Sequence, residues 1–458
     1  MSKTHLHPTI IAVICLALFC SFINPIGFID KDEIEHLRAS FLISQGQIPF
    51  LDFFQHHHLL LNYLFAPIFE FIYRNPIIFF IARFFIYGIL LTCTWYGIKI
   101  LDCLPINKAY NRIIFPLIFL FLSIQNVTIF QFRPDTLMIL FFLMGLFYFF
   151  HFLNDKRIRF LSLSFLCFVL SFFSLQKIII LYPVIFLACM WLLYKKELML
   201  KQFFLAIIPA TLTTLFYIFY LLLTDSFKPY FTCSFTVNKL LTQTLTHPFH
   251  FLSGNIFIPI YVCLLLLPYL IWKYKNLQIV MLAGFFIISF IQSCFLNPWS
   301  QYYIPLITLS AITLSLALSS CLQTGAKKSL FYSYLGSFLA LFIIGFHYKM
   351  IKPSIDDYTG NYAKLLSIIS EKDTVADEFR DFNIWNPTTT WHEFFLVQEI
   401  DYEKLGLPKK DADENIRKNK PTVIHAGGGP LLHDLLPEYD RISTDVIGFP
   451  WAIYKKKN

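Results

Sequence analysis

The chemistry-bearing residues gather in one stretch, FIDKDEIEHLRASFLISQGQIPFLDFFQHHHLLLNYL, from Phe28 to Leu64. It holds Asp30, Asp32, Glu33, Glu35, His36, Asp52 and the run His56, His57 and His58. Carboxylates and imidazoles are the side chains that take up and return protons while bonds are made. In a helix opening near Asp32, that residue and His36 stand four apart and share a face, with Glu33 a neighbour three before His36. Acids also suit the positive end of a helix dipole, so a merely charged helix start accounts for the same residues. Both readings stand on residue type alone. The same groups would suit a divalent metal ion. No HExxH or comparable ligand spacing occurs, so the sequence leaves a metal open. Three consecutive histidines cannot all face one point in a regular helix. One is expected at a site and the others toward headgroups or water.

The elements that must position these residues are membrane spans. The chain has 458 residues, 57% hydrophobic and only 14% charged, where soluble domains carry about 25% charged residues. Apolar runs near the ~20 residues needed to cross a bilayer fall at 8–28, 77–101, 113–132, 135–153, 160–176, 178–194, 202–223, 256–272, 277–296, 304–322 and 330–347. That predicts a polytopic α-helical membrane protein of about eleven transmembrane helices. Alternate connections are basic: Lys99, Lys108 and Arg112; Lys156, Arg157 and Arg159; Lys195, Lys196 and Lys201; Lys273 and Lys275; Lys327 and Lys328. The positive-inside rule then puts the N-terminus in the cytoplasm and the C-terminus outside. The net charge of +8 is thus topology signal rather than a nucleic-acid footprint. Leu59 to Tyr73 is apolar but short and contains Asn62, Pro67 and Glu70, so an interfacial or re-entrant helix is expected there. Of the ten cysteines, eight lie inside apolar runs, as small buried hydrophobes do.

With the spans in place, the order of features resembles a known family. A first span is followed by an outer-face D-x-D-E with a nearby histidine, then QGQIPFLDFF and a histidine-rich entry to the next apolar segment. This looks like the GT-C superfamily of integral-membrane glycosyltransferases, and in particular like bacterial relatives of protein O-mannosyltransferases and lipid A aminoarabinose transferases. The match covers Gly27 to Leu64, with FRPD (Phe132 to Asp135) and QYYIPL (Gln301 to Leu306) as weaker support. Leu59 stands where relatives usually have proline after the histidines. The resemblance implies transfer of a sugar from a polyprenyl-phosphate carrier to a glycan, lipid or protein acceptor outside the cytoplasm. It also implies an essential acid in the first outer loop, which maps onto Asp32 or Glu33, with His36 beside it. Asp30, Asp52, His56, His57 and Tyr302 are the candidates for substrate contact.

The chemistry is consistent with that placement. One carboxylate can take the proton of an attacking hydroxyl or amine, and a single displacement inverts the anomeric centre. The leaving lipid phosphate departs as an anion and needs positive charge more than an acid. Arg133 and Lys177 are expected at the outer ends of spans, with Asp135 steadying the guanidinium in the RPD triplet. Arg83 lies inside the second span, where a charge demands a partner or a polar cavity. Donor phosphate or an acid such as Glu70 would each serve.

The transmembrane body is expected over 1–347, its first outer loop over 29–76, and a small extracytoplasmic α/β or α+β domain over 348–458. A helical stretch (Tyr362 to Ser370) and strand-like runs (Thr374 to Phe379, Thr422 to His425, Trp451 to Tyr454) point to that domain. VIHAGGGPLLHDLL lacks the spacing of a nucleotide loop and reads as a structural turn. Trp385 and Trp391 suit a sugar ring or the domain's own core. The rival function is a transporter or flippase of lipid-linked sugars, which would place charges at mid-membrane between repeats. Neither repeats nor paired midplane acids occur.

Overall fold

The computed structural model describes residues 29–105, 108–240, 258–295, 300–323, 355–377, 383–388, 405, 417–426, 436–442 and 452–457. The expected spans at 8–28 and 330–347, the glycines after Ala426, and Trp391 lie outside them. The helices are α1 (Lys31–Ser44), α2 (Leu60–Phe65), α3 (Ile77–Asp102), α4 (Lys108–Gln125), α5 (Pro134–Asp155), α6 (Ile158–Ser174), α7 (Tyr182–Tyr194), α8 (Leu200–Leu223), α9 (Phe227–Phe231), α10 (Ile258–Tyr274), α11 (Leu277–Phe295), α12 (Ile304–Gln323) and α13 (Ile355–Ile368). Each of the nine expected spans within these residues overlaps one helix, α3 to α8 and α10 to α12, but the span expected over 113–132 ends at Gln125 before a 3-10 turn (Val127–Phe130), and that over 178–194 starts as a 3-10 turn (Gln176–Leu181). Among the described residues, five segments are long and apolar enough to cross a bilayer: α3, α5, α7 with the 3-10 turn leading into it, α8 and α11. The chain is a multi-pass membrane protein. On α8, Phe204, Leu212, Phe216, Phe219 and Leu223 are all exposed, a face suited to lipid rather than water.

Local chemistry sets where the helices start and stop. Asp30 caps α1 in a reciprocal box with Glu33, satisfying amides that the first turn cannot pair. Gly46, at φ +79°, lets the chain leave that helix in the left-handed region. Pro134 opens α5 with Arg133 extended before it. Lysines occupy left-handed positions after α5 (Lys156), α7 (within the Lys195–Lys196 turn) and α10 (Lys275). A cation there faces the negative end of each helix dipole. These basic turns lie at the ends of the helices opposite to Arg133, Lys177 and Tyr302. For α5 that separation is about 33 Å at 1.5 Å per residue.

Small residues let the bundle close. A Cβ on Gly145 would meet the Phe168 ring at 2.6 Å, and the Ser164 and Ser171 hydroxyls donate to the Gly145 and Met138 carbonyls at 2.8 and 2.7 Å. Helices α5 and α6 thus pack by close approach and interhelical hydrogen bonds, as membrane helices do. The segment after His58 follows the expectation of a non-spanning helix. Short α2 runs into a 3-10 turn (Ala66–Glu70) with Leu61, Phe65 and Phe69 buried, while Leu64, Phe71 and Tyr73 are exposed.

After α13 comes a four-stranded mixed sheet: β1 (Val375–Asp377), β2 (Val423–Ala426), β3 (Tyr439–Ile442) and β4 (Ala452–Lys456), in the order β1-β2-β4-β3. Strands β1 and β2 pair in parallel, and β4 runs antiparallel to both its neighbours. The three expected strands are present. Strand β3 has no alternation strong enough to read in sequence, because Asp440 and Arg441 are both exposed.

Candidate active site

The acid-bearing helix α1 is buried on several sides, and its carboxylates have different posts. Glu33 is 2% exposed. Its Oε1 accepts from Arg83 Nε at 2.6 Å and from the Phe132 amide at 2.7 Å. Its Oε2 pairs with Arg83 Nη2 and accepts from the Asp30 amide at 3.2 Å. Arg83 therefore finds its counter-ion in Glu33, not in Glu70, which is exposed. Asp30 serves as the helix cap and accepts from Gln131 Nε2 at 3.4 Å. Asp52 lies exposed in a turn, where its carboxylate accepts from the Ile48 amide at 2.6 Å.

Asp32 differs from both neighbours. Its side chain is 24% exposed, and its Oδ2 lies 2.6 Å from Arg133 Nη2. Arg133 is buried, with Nε 3.8 Å from Asp135 Oδ2 and without a hydrogen-bond partner for that N–H among the described residues. Asp135 also pairs with Lys177, whose ammonium lies 4.8 Å from the Tyr302 ring centroid. The helix break 126–133, the turn Gln176–Leu181 and the turn Ser300–Tyr303 thus meet α1 at one end of the bundle. They form a linked chain Asp32–Arg133–Asp135–Lys177–Tyr302.

The histidines line the same end. His36 and His57 have ring centroids 5.8 Å apart, His56 and His57 3.9 Å apart, and His56 Nδ1 lies 3.8 Å from Glu35 Oε1. The Nδ1 atoms of His36 and His57 have no hydrogen-bond partner among the described residues. The expectation that two of the three consecutive histidines face headgroups or water is corrected, since His56 and His58 are buried and His57 is half-buried. They escape the helical limit because residues 54–59 are not a helix. His58 is a bolt: Nδ1 lies 2.5 Å from the Phe172 carbonyl and Nε2 2.9 Å from the Tyr230 hydroxyl. The carbonyl can only accept, so Nδ1 carries the proton and Nε2 accepts from Tyr230.

Gln176 is a residue that sequence reasoning missed. Its Nε2 donates to the His56 and Ser234 carbonyls at 2.9 and 3.1 Å, and its Oε1 accepts from the His58 amide at 3.3 Å. Asn238 adds a 2.6 Å bond to the His56 carbonyl. One helix break therefore supplies both the loop's anchor and the Lys177 cation. The available signal was a polar pair, Gln176–Lys177, inside an apolar run.

Burial holds these imidazoles neutral. It lowers His36 to about 3, aided by the charge of Arg133. It lowers His56 and His58 to about 4, and His57 well below its ordinary 6.5. In the unfolded chain each takes a proton near 6.5. Stability present above pH 6.5 is therefore lost as pH falls from 6.5 toward 4. The melting temperature of the detergent-solubilised protein is expected to fall between pH 7 and pH 5, and a flat profile would contradict this burial.

Among the described residues no three His, Cys, Asp or Glu side chains converge as a metal site.

No family model matches the chain, and no curated protein matches it in sequence. Solved structures share the fold, two membrane proteins among them. ArnT from Cupriavidus metallidurans, solved bound to undecaprenyl phosphate, superimposes with a TM-score of 0.65 at 10% identity, covering 97% of each chain. The Archaeoglobus fulgidus oligosaccharyltransferase, solved tethered to an acceptor peptide, gives 0.52 at 11% identity, over 92% of this chain and 69% of that one. At these identities the likeness is one of fold, and the chain shares its architecture with both.

Proposed function

We propose that this protein is a glycosyltransferase that moves a sugar from a polyprenyl-phosphate donor to an extracytoplasmic acceptor by inverting displacement. The observation that carries the reading is the Asp32–Arg133 pair, a partly open carboxylate against a buried cation with an unused N–H. Asp32 takes the proton of the acceptor's hydroxyl or amine. The nucleophile bonds to the anomeric carbon, and the bond to the lipid phosphate breaks with its electron pair leaving on phosphate. Arg133 and Lys177 receive that anion. Arg83 does not join them, being engaged by Glu33. The neutral His36 and His57 offer hydrogen bonds to the sugar or the acceptor.

Sidedness supports the same reading. The site lies at the end of the bundle away from the lysine-bearing turns, which the positive-inside rule assigns to the cytoplasm of the plasma (inner) membrane. Nucleotide sugars do not cross a bilayer, so a transferase facing outward needs a lipid-borne donor. ArnT, of like fold, was solved with a polyprenyl phosphate bound. The test incubates purified protein with radiolabelled polyprenyl-phosphate sugars and membrane extract. Labelled glycosylated product is the expected result. Its absence, or donor moved between leaflets without product, would end the proposal.

A further inference from the structure

Arg38 lies on α1 six residues beyond Asp32, about a third of a turn round the helix from it. It is 4% exposed, and a guanidinium so buried has to be held by something. Its Nη1 donates to the Ile384 and Asn386 carbonyls at 3.1 and 3.0 Å, nearly 350 residues away in sequence. Between these carbonyls, Trp385 sits edge-on to Phe41, Phe69 and Tyr73, with centroids 5.3, 5.2 and 5.7 Å away. The expectation that Trp385 fills the small domain's own core, or stacks on a sugar, is replaced by this docking contact.

The loop 383–388 is itself fastened to the C-terminal body. The Asn386 amide donates to the Ser370 and Asp373 carbonyls at 2.7 and 3.0 Å, and its Oδ1 accepts from Arg74 Nη1 at 3.1 Å. Arg74 Nη2 donates to the Leu366 and Ile369 carbonyls at the end of α13, where a cation is favoured. The Pro387 carbonyl accepts from the Val375 amide in β1 at 2.9 Å. The sheet, α13 and the loop thus form one unit that reaches α1 through Arg38 and Trp385. Nearer its start, α1 is held by Glu33 on Arg83 and by Asn62, whose amide donates to the His36 carbonyl at 2.7 Å.

We propose that Arg38 is a positioning residue through which loop 383–388 sets the turn of α1 carrying Asp32 and His36 against Arg133. Resting on the transferase reading, it assigns the C-terminal segment to the alignment of the base rather than to substrate contact. A displacement of about 1 Å at a reacting group can cost up to ~10²-fold in rate. The donor cations Arg133 and Lys177 sit on other elements, so binding and turnover should separate.

The test uses full-length protein with Arg38→Met, Arg38→Lys and the parent. For R38M, turnover with labelled polyprenyl-phosphate sugars is expected to fall about tenfold or more. Its affinity for undecaprenyl phosphate should stay within about twofold of the parent. R38K, which still donates to a carbonyl, should regain most of the rate. Hydrogen exchange should show lost protection over residues 31–44 and not over 134–155. If R38M does not accumulate, R38Q takes its place. Turnover within about twofold of the parent, or equal loss of turnover and phosphate binding in both variants, would overturn the inference. A parent that transfers no sugar would defeat the functional reading instead. Exchange over 31–44 would then decide, unchanged protection in R38M counting against the clamp.

Discussion

Asp32→Asn is expected to lower sugar transfer by about 10²–10⁴-fold while leaving the protein folded, because it removes the proposed proton acceptor and Arg133 keeps Asp135 as a counter-ion. The Asp32 side chain is partly open, and its buried partner Arg133 can still donate to the Asn Oδ1 in place of the carboxylate, so the fold tolerates the change. The change should not weaken donor binding. The Asp32 carboxylate lies 2.6 Å from Arg133 Nη2, so a phosphate reaching the guanidinium through its open Nε would still compete with it for the positive charge. Removing the competitor leaves donor affinity unchanged or tighter, so kcat falls while the donor KM holds or drops. Such a split distinguishes a base from a binding residue. Asp32→Glu, which keeps the acid at a longer reach, should retain part of the rate. Full transfer by D32N would take the base role away from Asp32.

Much of this was legible in the sequence because hydrocarbon leaves the chain few choices. A run of about 20 apolar residues has to pair its own backbone, and helices do that. Hence each of the nine expected spans within the described residues overlaps one helix, although those over 113–132 and 178–194 are shortened by 3-10 turns at the site. The break at Arg133–Pro134 was legible too, since proline at a first helical position is a local rule. What stayed hidden was pairing at a distance. Glu33 and Asp32 are adjacent acids in one motif, yet one faces Arg83, fifty residues on, and the other Arg133. Nothing in residue type separates them; only the placement of Arg83 on α3 and of Arg133 ahead of α5 does. Trp385 was misread for the same reason, because its partners Phe41, Phe69 and Tyr73 lie in the first loop.

The Glu33–Arg83 pair carries the second large effect, and it falls on folding rather than chemistry. Arg83→Met leaves the Glu33 carboxylate 2% exposed, with backbone amides and no Arg83 cation. Removing one partner of a buried pair typically costs about 3–5 kcal/mol, a large share of the ~5–15 kcal/mol that holds a domain folded. R83M is therefore expected to accumulate poorly or to melt well below the parent. Adding Glu33→Gln removes the stranded charge, while the Gln carbonyl can still accept from the Phe132 amide. The double variant should recover most of the melting temperature, giving a coupling of several kcal/mol. It also decides between two roles for Glu33. If the carboxylate only anchors α1, the refolded double variant transfers sugar at close to the parent rate. If it takes the acceptor proton, the double variant folds and stays inactive, and the base must be reassigned from Asp32 to Glu33.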